Sequence, residues 1–489
     1  MCSSEASHAA PYPPISVSSR CWRSPPNSNL HERAGYLPEF SVLLNLASVR
    51  ILLLNQFFYP DSAATSQLLT DLARGLAAEG HSVRVICGSS SYAEPDSQNP
   101  PAVEIIRTRD LRFGRGLVAR TVSYTSFLSG ALYRGLLGPR PDLILTLTTP
   151  PALSVIGSLL KAVFGARHFI WEMDLYPDIA VDLGVLRPRS WFTRLMGALF
   201  DNARRRADGI IVLGECMRER LMRRGIPAER IHVADNWADG AEIHPLPFPA
   251  PEPLRILYSG NLGLAHDVDT VRAALHHFRS DSRFQFAFAG GGPRRKGLED
   301  FCRGNANVGF SGYRPRHELG AAFGGCHIGL VTQKPATLGS VVPSKTYGLM
   351  AAGRPILYIG PREATPARII ERFRCGWQVD AGDAAALIVL LEHLAGNPGL
   401  IRDAGARGRE AFLKHYDLPI GVARICSVLG VTQSKPLARI SHTPPSDVAQ
   451  TPVSAVSRLI STGVRVSDKV SQTNVGMSAD AAGRSACAT

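Results

Sequence analysis

The amino-acid sequence predicts an α/β protein in which two Rossmann-like domains face each other across a cleft. Short apolar runs alternate with longer segments of helical period, as is typical of a parallel sheet with helices on both faces. A proline-rich break at 245–253 divides this alternation into two halves of similar size. With 489 residues and 45% apolar content, the chain can bury a large core in each half.

In the first half, strands are predicted at the short apolar runs and helices at the longer amphipathic segments. Gly80 ends the first helix, and Pro150 and Pro151 separate a buried strand from the helix that follows. The predicted strands are 49–54, 82–87, 142–147, 167–171 and 209–213, and the predicted helices are 65–79, 152–164 and 191–206.

The second half repeats the pattern after the proline break. The predicted strands are 255–258, 284–289, 308–310, 328–331 and 355–359, and a last helix is predicted near 418–429. Both ends of the chain are rich in small and polar residues and lack periodicity, so we expect them to be disordered. The expected organisation is an extension (1–48), a first domain (49–237), a hinge (238–253), a second domain (254–416), a crossing helix (417–432) and a tail (433–489).

Composition narrows the classes of partner. The net charge of +13 favours acidic partners, either phosphorylated small molecules or an anionic membrane surface. No zinc-finger spacing, RNA-binding aromatic motif or basic zipper indicates nucleic acid. Nine cysteines without a CxxC pair favour a reduced, cytoplasmic protein. The most apolar segment, 143–160, is interrupted by two prolines and by threonines, so a strand, a loop and a helix explain it better than a membrane span.

The segment 342–355 predicts a binding site for a phosphate or diphosphate. Ser344 is expected to cap a short helix, Gly353 to end it, and Lys345 to add a cation at its N-terminus. Two glycine turns follow predicted strands upstream, and all three loops are expected at one crevice of an open sheet. A nucleotide sugar fits such a site. The predicted donor-binding residues are Gly260, Asn261, Gly263, Gly290, Gly291, Arg294, Ser344 and Lys345.

Two segments of the first domain are candidates for the other side of the cleft. Ser62, Ala63 and Ala64 would let a ligand approach the backbone, although an ordinary strand-to-helix loop explains them as well. Asp174 follows a buried strand, and its carboxylate could orient an attacking hydroxyl. For Glu172 and Asp178 a structural role leads, as the partner of an arginine and as a helix cap.

Two further patterns have competing explanations. Asp267 and Asp269 form a DxD pair, which elsewhere can hold a metal; here they open a helix, so no metal site is predicted. The predicted helix 191–206 carries a Trp/Phe/Leu stripe, and ten arginines against four acidic residues occur between 187 and 224. This helix could lie on an anionic membrane, but a helix packed in the core is the commoner explanation.

Four segments, in this order and spacing, resemble glycosyltransferases of family 4, and in particular the subgroup related to colanic-acid and exopolysaccharide transferases. The segments are 55–66, 174–178, 258–263 and 342–355, and Asp235-Asn-Trp matches as well. The resemblance covers roughly 50–430. It implies the GT-B fold and retaining transfer of a sugar from a nucleotide donor, held by the second domain, to an acceptor held by the first. It also implies that no bound metal or other cofactor is needed.

The chain departs from this family at several positions. The paired glutamates of the family fall near Ser340 and Gly348, and neither residue is acidic. The arginine after the glycine turn is Asn261, the later lysine is lost around 266–267, and the histidine of the first domain is Met173. Neutralisation of the leaving diphosphate is therefore expected from Lys345, with Arg294 or Arg295.

The expected function is sugar transfer to a saccharide or lipid-linked acceptor in cell-surface polysaccharide biosynthesis, with Asp174 and Lys345 as catalytic candidates. The alternatives are a nucleotide-sugar epimerase of the same fold and a non-catalytic sugar-nucleotide-binding subunit. We expect a cytoplasmic protein that attaches reversibly to the inner membrane face through the basic segments 107–120 and 187–224.

Overall fold

The first domain is built on a parallel seven-stranded sheet. The structure, a computed structural model, describes residues 48–61, 63–89, 100–108 and 117–431. The sheet order is β3-β2-β1-β4-β5-β6-β7. Its strands are β1 (Arg50–Leu54), β2 (Ser82–Gly88), β3 (Glu104–Thr108), β4 (Leu143–Thr146), β5 (Arg167–Glu172), β6 (Gly209–Val212) and β7 (Ile231–Val233).

Among the described residues, helices connect all consecutive strands of this sheet except β2 and β3. These helices are α1 (Ala64–Ala78), α2 (Leu117–Leu137), α3 (Leu153–Phe164), α4 (Asp178–Asp182), α5 (Trp191–Arg206) and α6 (Glu215–Arg223). The central strand β1 pairs with β2 and β4, with Ile51 opposite Val83 on one side and Leu143 on the other. The strand order reverses between β1 and β4, and such a switch point opens a crevice at the carboxyl edge of the sheet.

The second domain repeats the design with a parallel six-stranded sheet in the order β10-β9-β8-β11-β12-β13. Its strands are β8 (Leu254–Ser259), β9 (Phe284–Ala289), β10 (Val308–Ser311), β11 (Ile328–Thr332), β12 (Ile356–Ile359) and β13 (Gly376–Val379). Its helices are α7 (Asp269–His277), α8 (Arg295–Phe301), α9 (Leu319–Gly324), α10 (Lys345–Ala351), α11 (Thr365–Phe373), α12 (Ala384–Ala395) and α13 (Pro398–His415). Two Rossmann-like sheets confirm the predicted fold class.

The chain crosses between the domains twice, and the two crossings lie side by side. The Ala238 N–H donates to the Tyr416 carbonyl (3.2 Å), and the Gly240 N–H donates to Oδ1 of Asp417 (2.9 Å). After the second crossing, α14 (Leu418–Leu429) packs against α1 of the first domain. The predicted C-terminal helix that crosses back is therefore present.

Arg354 fixes the proline-rich linker to the second domain. Its buried guanidinium donates to the carbonyl oxygens of Leu246 and Pro247 in the linker, at 2.9 and 3.1 Å. It also donates to those of Phe323 (3.0 Å) and Gly324 (2.9 Å) at the end of α9. Four carbonyl dipoles compensate the buried charge, so the linker moves as part of the second domain.

Helix α5 has its predicted bounds but not the packing that we favoured. Of its large apolar side chains, Phe200 is buried, while Trp191 is 76% exposed and Leu195 is 49% exposed. Its buried side includes Asp201 and Arg204 instead. The reason is electrostatic: Arg204 is the partner of the buried Glu172 (2.7 Å), so this side of the helix must face the protein.

Two other predictions concern the cysteines and the possibility of a membrane-spanning helix. The cysteines found there, Cys87, Cys216, Cys302, Cys326, Cys375 and Cys426, are buried free thiols. Within these residues no single helix has the length and apolar composition needed to cross a bilayer; α12 and α13 meet that requirement only as a pair bent by 100°.

Candidate functional site

The two glycine turns of the second domain meet backbone to backbone at the carboxyl edge of its sheet. Gly260 follows β8 with φ +122° and Gly290 follows β9 with φ +124°, conformations that favour glycine. A Cβ atom at Gly290 would collide with the Gly260 carbonyl group. The Leu262 N–H donates to the Gly291 carbonyl (2.7 Å), which holds the two turns together.

Lys345 reaches the same point from α10. A Cβ atom at Gly260 would lie 2.7 Å from Cε of Lys345, so the lysine side chain lies directly against this turn. The Lys345 amine lies 5.1 Å from the centre of the Tyr258 ring. Its desolvation lowers its pKa to about 8, although the side chain keeps some solvent exposure. No ion pair to Lys345 occurs within the described ranges, so its charge is available to an anion.

The predicted cap at Ser344 is wrong. Ser344 has a helical backbone (φ −77°, ψ −18°) and its hydroxyl makes no capping hydrogen bond. A cap requires an extended backbone, which directs the side chain back to the first free N–H groups. The predicted end is confirmed, since Gly353 has φ +65° directly after the helix. Because α10 has only seven residues, the positive charge at the site comes from Lys345 and not from a helix dipole.

Arg294 and Arg295 have different surroundings. The Arg294 N–H donates to the Leu262 carbonyl (3.2 Å), and its guanidinium lies 3.9 Å from the exposed Asp269. Arg295 instead donates to the carbonyl oxygens of Gly290 and Ser311 and pairs with Glu299 (3.0 Å). Arg295 therefore holds the second glycine turn in place, and Arg294 is the better placed of the two to meet a ligand.

Asn261 and Gly263 belong to the first glycine turn. The Tyr258 hydroxyl donates to the Asn261 carbonyl (2.7 Å), and the Gly263 carbonyl accepts from the His266 N–H (3.3 Å). These bonds give the turn a fixed shape beside Lys345. The structure thus brings all the predicted donor-side residues to one edge of the sheet.

His266 belongs to this edge but was considered at the sequence level only as a lost lysine position. It is 4% exposed, and its Nδ1 donates to the Thr332 carbonyl (2.8 Å). Its Nε2 is therefore an acceptor, for which the described part of the chain supplies no hydrogen-bond partner. Burial, and then the nearby Lys345, lower the pKa of His266 to about 3. The imidazole is therefore neutral and can accept a hydrogen bond. Only its position in the loop after a glycine turn could have indicated it.

Asp174 lies where the two domains meet. Its backbone forms an antiparallel bridge with Val341, and the N–H of Leu175 donates to the Ser340 carbonyl (2.9 Å). Burial, and secondarily the charge of Glu172, raise the pKa of Asp174 to about 8. Among the described residues, its Oδ1 has no hydrogen-bond partner. A protonated, unsatisfied carboxyl at the cleft can donate to or accept from a substrate hydroxyl.

Thr148 supports Asp174 from the end of the neighbouring strand. Its hydroxyl oxygen accepts from the N–H groups of Met173 (3.2 Å) and Asp174 (3.3 Å). Sequence reasoning treated the threonines near 148 only as an interruption of an apolar segment. Their position after a buried strand was the missed signal.

The other acids of this segment are structural. Glu172 pairs with Arg204, which confirms the structural role predicted for it. Asp178 lies in the first turn of α4 and pairs with Arg220 (3.0 Å) and Arg224 (3.1 Å); the residue at the cap position is Pro177, so the predicted cap is wrong. Two arginines reach the carboxylate and hold it in an ionic network instead.

The remaining candidates lie at the starts of α1 and α7. Ser62 lies outside the described residues. Ala63 and Ala64 begin α1, and the Ala63 N–H donates to Oδ1 of Asp61 (2.8 Å). Oδ1 of Asp267 accepts from the Thr270 N–H (3.1 Å), as expected of an acid that opens a helix. Within the described residues no group of three or more His, Cys, Asp or Glu side chains is arranged to hold a metal ion.

Comparison with known proteins places these features among sugar-transferring enzymes. A family model described as a glycosyl transferase 4-like domain matches residues 65–237, most of the first domain. WbjE of Pseudomonas aeruginosa, named as a glycosyltransferase, is 30% identical over 270 residues, covering 52% of this chain and 66% of that protein. WcaI of Escherichia coli, named as a glycosyl transferase of colanic acid biosynthesis, is 26% identical over 343 residues, covering 62% and 82%.

Solved structures share the two-domain architecture. Sucrose-phosphate synthase from Thermosynechococcus elongatus superposes with a TM-score of 0.62 at 17% identity, covering 78% of this chain and 98% of that one. HepE from Anabaena, solved with UDP and glucose, superposes with a TM-score of 0.59 at 13% identity, covering 78% and 100%. At these identities the likeness shows the fold, which is that of GT-B glycosyltransferases.

Proposed function

We propose the following activity for this chain, which belongs to the family 4 glycosyltransferases and has their GT-B fold: it transfers a sugar from a nucleotide-sugar donor to a saccharide acceptor during synthesis of a polysaccharide. One observation carries the proposal. A lysine without an acidic partner among the described residues lies against two touching glycine turns, and the backbone of Asp174, from the opposite domain, pairs with Val341, four residues before that lysine.

The second domain holds the donor through its diphosphate. Lys345 supplies a charge that the described protein does not neutralise, and Arg294 lies at the neighbouring turn. The turns at Gly260 and Gly290 lack side chains, so a diphosphate can approach their backbone. HepE was solved with UDP and with UDP-glucose, which supports a nucleotide-sugar donor here. As the bond to the sugar breaks, Lys345 stabilises the negative charge that develops on the diphosphate.

The first domain presents the acceptor. Asp174 is protonated near neutral pH, so it orients the acceptor hydroxyl by a hydrogen bond and does not take its proton as a base. We expect transfer with retention of configuration, in which the leaving diphosphate oxygen accepts the proton from the incoming hydroxyl on the same face of the sugar. Retention is read directly by NMR of the product linkage.

No divalent metal is expected in this reaction. The DxD carboxylates, which could otherwise bind one, have other partners: Asp267 accepts from the Thr270 N–H in the first turn of α7 (3.1 Å), and Asp269 lies near Arg272 (3.7 Å) and Arg294 (3.9 Å). A carboxylate that already faces two guanidinium groups is a weak ligand for a second cation.

A second candidate is a non-catalytic subunit that binds a nucleotide sugar. It is favoured by Ser340, which is fully buried and donates to the Thr337 carbonyl (3.1 Å), where the related enzymes have a glutamate. At Gly348, a Cβ atom would lie 3.1 Å from the Phe323 ring, so a larger side chain would require a shift of that ring. Neither position supplies a carboxylate to the cleft.

One experiment separates these candidates. The protein is first screened against nucleotide sugars by thermal shift, since a bound donor raises the melting temperature. The stabilising donor is then supplied with a mass-tagged sugar and a pool of acceptors. Transfer of the tag supports the glycosyltransferase, an isomerised donor supports an epimerase, and binding without either product supports the subunit.

A further inference from the structure

Helix α5 presents an apolar surface to the outside. Trp191, Phe192, Leu195 and Leu199 are 76%, 47%, 49% and 47% exposed. The opposite side of the helix is held by the charge cluster of Arg204 with Glu172 and Asp201. The helix cannot turn its apolar side inward without breaking these buried ion pairs, so the exposure is built into the fold.

The apolar surface continues onto the two neighbouring helices. Helix α3 packs against both α2 and α5. On α3, Leu159 is 47% and Val163 is 62% exposed, and on α2, Leu136 is 41% and Leu137 is 66% exposed. Large apolar side chains on three adjacent helices form a patch of the kind that monomeric proteins seldom leave uncovered.

The exposed charges on these three helices are positive, and the nearby Asp208 is paired with Lys161 of α3 (2.7 Å). Helices α2 and α3 contain no acidic residue, and the single one of α5, Asp201, is buried and paired with Arg204 and Arg224. Exposed arginines flank the patch, among them Arg134, Arg187, Arg189, Arg194, Arg205 and Arg206. An apolar face bordered by cations matches an anionic lipid surface, which offers acyl chains below and negative headgroups above.

We propose that the outer face of α2, α3 and α5 binds the surface of an anionic lipid bilayer, with Trp191, Leu195 and Leu199 entering the headgroup region. A second copy of the chain is a poorer occupant. A two-fold interface places the same patch on both sides, so the flanking arginines would face one another.

The Trp191 end of the patch suits a lipid-linked acceptor, a point that rests on the proposed function. The end of α5 leads directly into β6, so its first turn, with Trp191, lies toward the carboxyl edge of the sheet. Asp174 follows β5 at this same edge. A saccharide carried on a membrane lipid would thus be held beside the domain that receives it.

Vesicle sedimentation tests the surface. The full chain is mixed with vesicles of phosphatidylcholine alone or with phosphatidylglycerol added, and the comparison variant carries Leu195→Glu and Leu199→Glu. The matched control carries Val389→Glu and Leu413→Glu, two apolar residues of the second domain that are 65% and 44% exposed. We expect binding to the anionic vesicles, a decrease of about tenfold or more in the first variant, and wild-type binding in the control.

A second readout places the contact at one residue. Vesicles with brominated acyl chains should quench tryptophan fluorescence in the wild type, and Trp191→Phe should abolish most of that quenching while Trp377→Phe should not. Equal vesicle binding by both glutamate variants would overturn the proposal, as would a dimer that only Leu195→Glu and Leu199→Glu dissociate in the absence of lipid binding. Vesicle binding without sugar transfer would support the membrane-binding surface and contradict the proposed function. Transfer to a soluble acceptor without vesicle binding would support the proposed function and contradict the membrane-binding surface.

Discussion

Arg316 of the second domain reaches Asp71 of the first. Both terminal nitrogens of the guanidinium lie 3.4 Å from a carboxylate oxygen of Asp71, and Nε lies 2.5 Å from Oε2 of Glu242. The side chains of Arg316 and Asp71 are both buried, and Trp237 donates its indole N–H to Asp71 (3.2 Å). This ion pair fastens α1 to the second domain beside the linker, to which Glu242 belongs.

Arg316→Met should lower the free energy of unfolding by roughly 3 kcal/mol, because it leaves a buried carboxylate without its counter-ion. Burial raises the pKa of Asp71 and Arg316 opposes that rise, so the loss should shrink as falling pH protonates Asp71. Chemical denaturation at two pH values measures this. Arg314→Met, which removes an exposed partner of Glu318, is the control and should change little. If the two variants lose the same free energy of unfolding, the buried ion pair does not hold the two domains together.

Lys345→Ala should reduce kcat/KM for transfer by about 10²-fold, the usual scale for losing one electrostatic contact with developing charge. Because the pKa of Lys345 is about 8, donor affinity of the wild-type protein should fall as the pH rises through that value. The variant should bind donor weakly at every pH. Lys414→Ala, at an exposed pair with Glu410, serves as the control. Wild-type kinetics in Lys345→Ala would remove this residue from the site and leave Arg294 as the main cation.

Asp174→Asn should change the pH dependence of stability. The folded-state pKa of about 8 lies above the ordinary value of 3.8, so the native state keeps a proton that the unfolded chain has released. The stabilisation that the Asp174 carboxyl contributes to the folded state is therefore fully present below about pH 4, and it is lost as the pH rises to about 8. Asn cannot ionise, so at alkaline pH the free energy of unfolding of the variant should be higher than that of the wild type. The difference should be at least about 1.4 kcal/mol, the equivalent of one pKa unit.

Denaturation curves across this pH range, with the exposed Asp300→Asn as control, test that expectation. Parallel curves for wild type and Asp174→Asn would mean that Asp174 is ionised in the folded protein. Transfer activity of Asp174→Asn should also fall, because the amide donates and accepts with different geometry at the acceptor hydroxyl.

Gly290→Ala should weaken both the fold and donor binding. Alanine at φ +124° is strained, and its methyl group would collide with the Gly260 carbonyl, so the two turns must move apart beside Lys345. We expect a loss of about 1–3 kcal/mol in stability together with a higher KM for the donor. Gly297→Ala on α8, where a Cβ atom meets nothing within 4 Å, should be neutral or slightly stabilising. Identical behaviour of the two alanines would disprove the tight contact between the turns.

Transfer should continue in excess EDTA, because Asp267 and Asp269 are engaged by a helix N-terminus and by two arginines. The measurement is turnover of the stabilising donor with and without chelator. Activity that disappears with EDTA and returns with magnesium or manganese would show that these carboxylates, or others, hold a metal during the reaction.

The central strands of both sheets could be predicted, and the edge strands were harder. β1, β4 and β11 are apolar runs because both of their faces are covered. β3, β7 and β13 were missed because an edge strand leaves polar residues in contact with water, as in the sequence Gly-Trp-Gln-Val of β13. The glycine turns were found because positive φ leaves a direct mark on the sequence.

The partners of the site residues could not be predicted in the same way. The sequence shows that Asp174 follows a strand, but its raised pKa depends on Val341 and Ser340, which approach from a distant part of the chain. The orientation of α5 depended on one buried charge, Arg204, which outweighed four apolar side chains. Local pattern does not determine which side of a helix faces the core when a buried ion pair competes for it.

The two adjacent crossings at Ala238 and Asp417 define how the cleft can open. Two neighbouring chain segments allow one domain to rotate relative to the other about the line that joins the segments. They resist rotation about other axes. Because Arg354 clamps the linker from Leu246 onward, the pivot is confined to the few residues before that clamp. A protease that cuts one crossing would leave the domains joined by the other, whereas both cuts would leave them held only by noncovalent contacts such as the pair of Arg316 with Asp71.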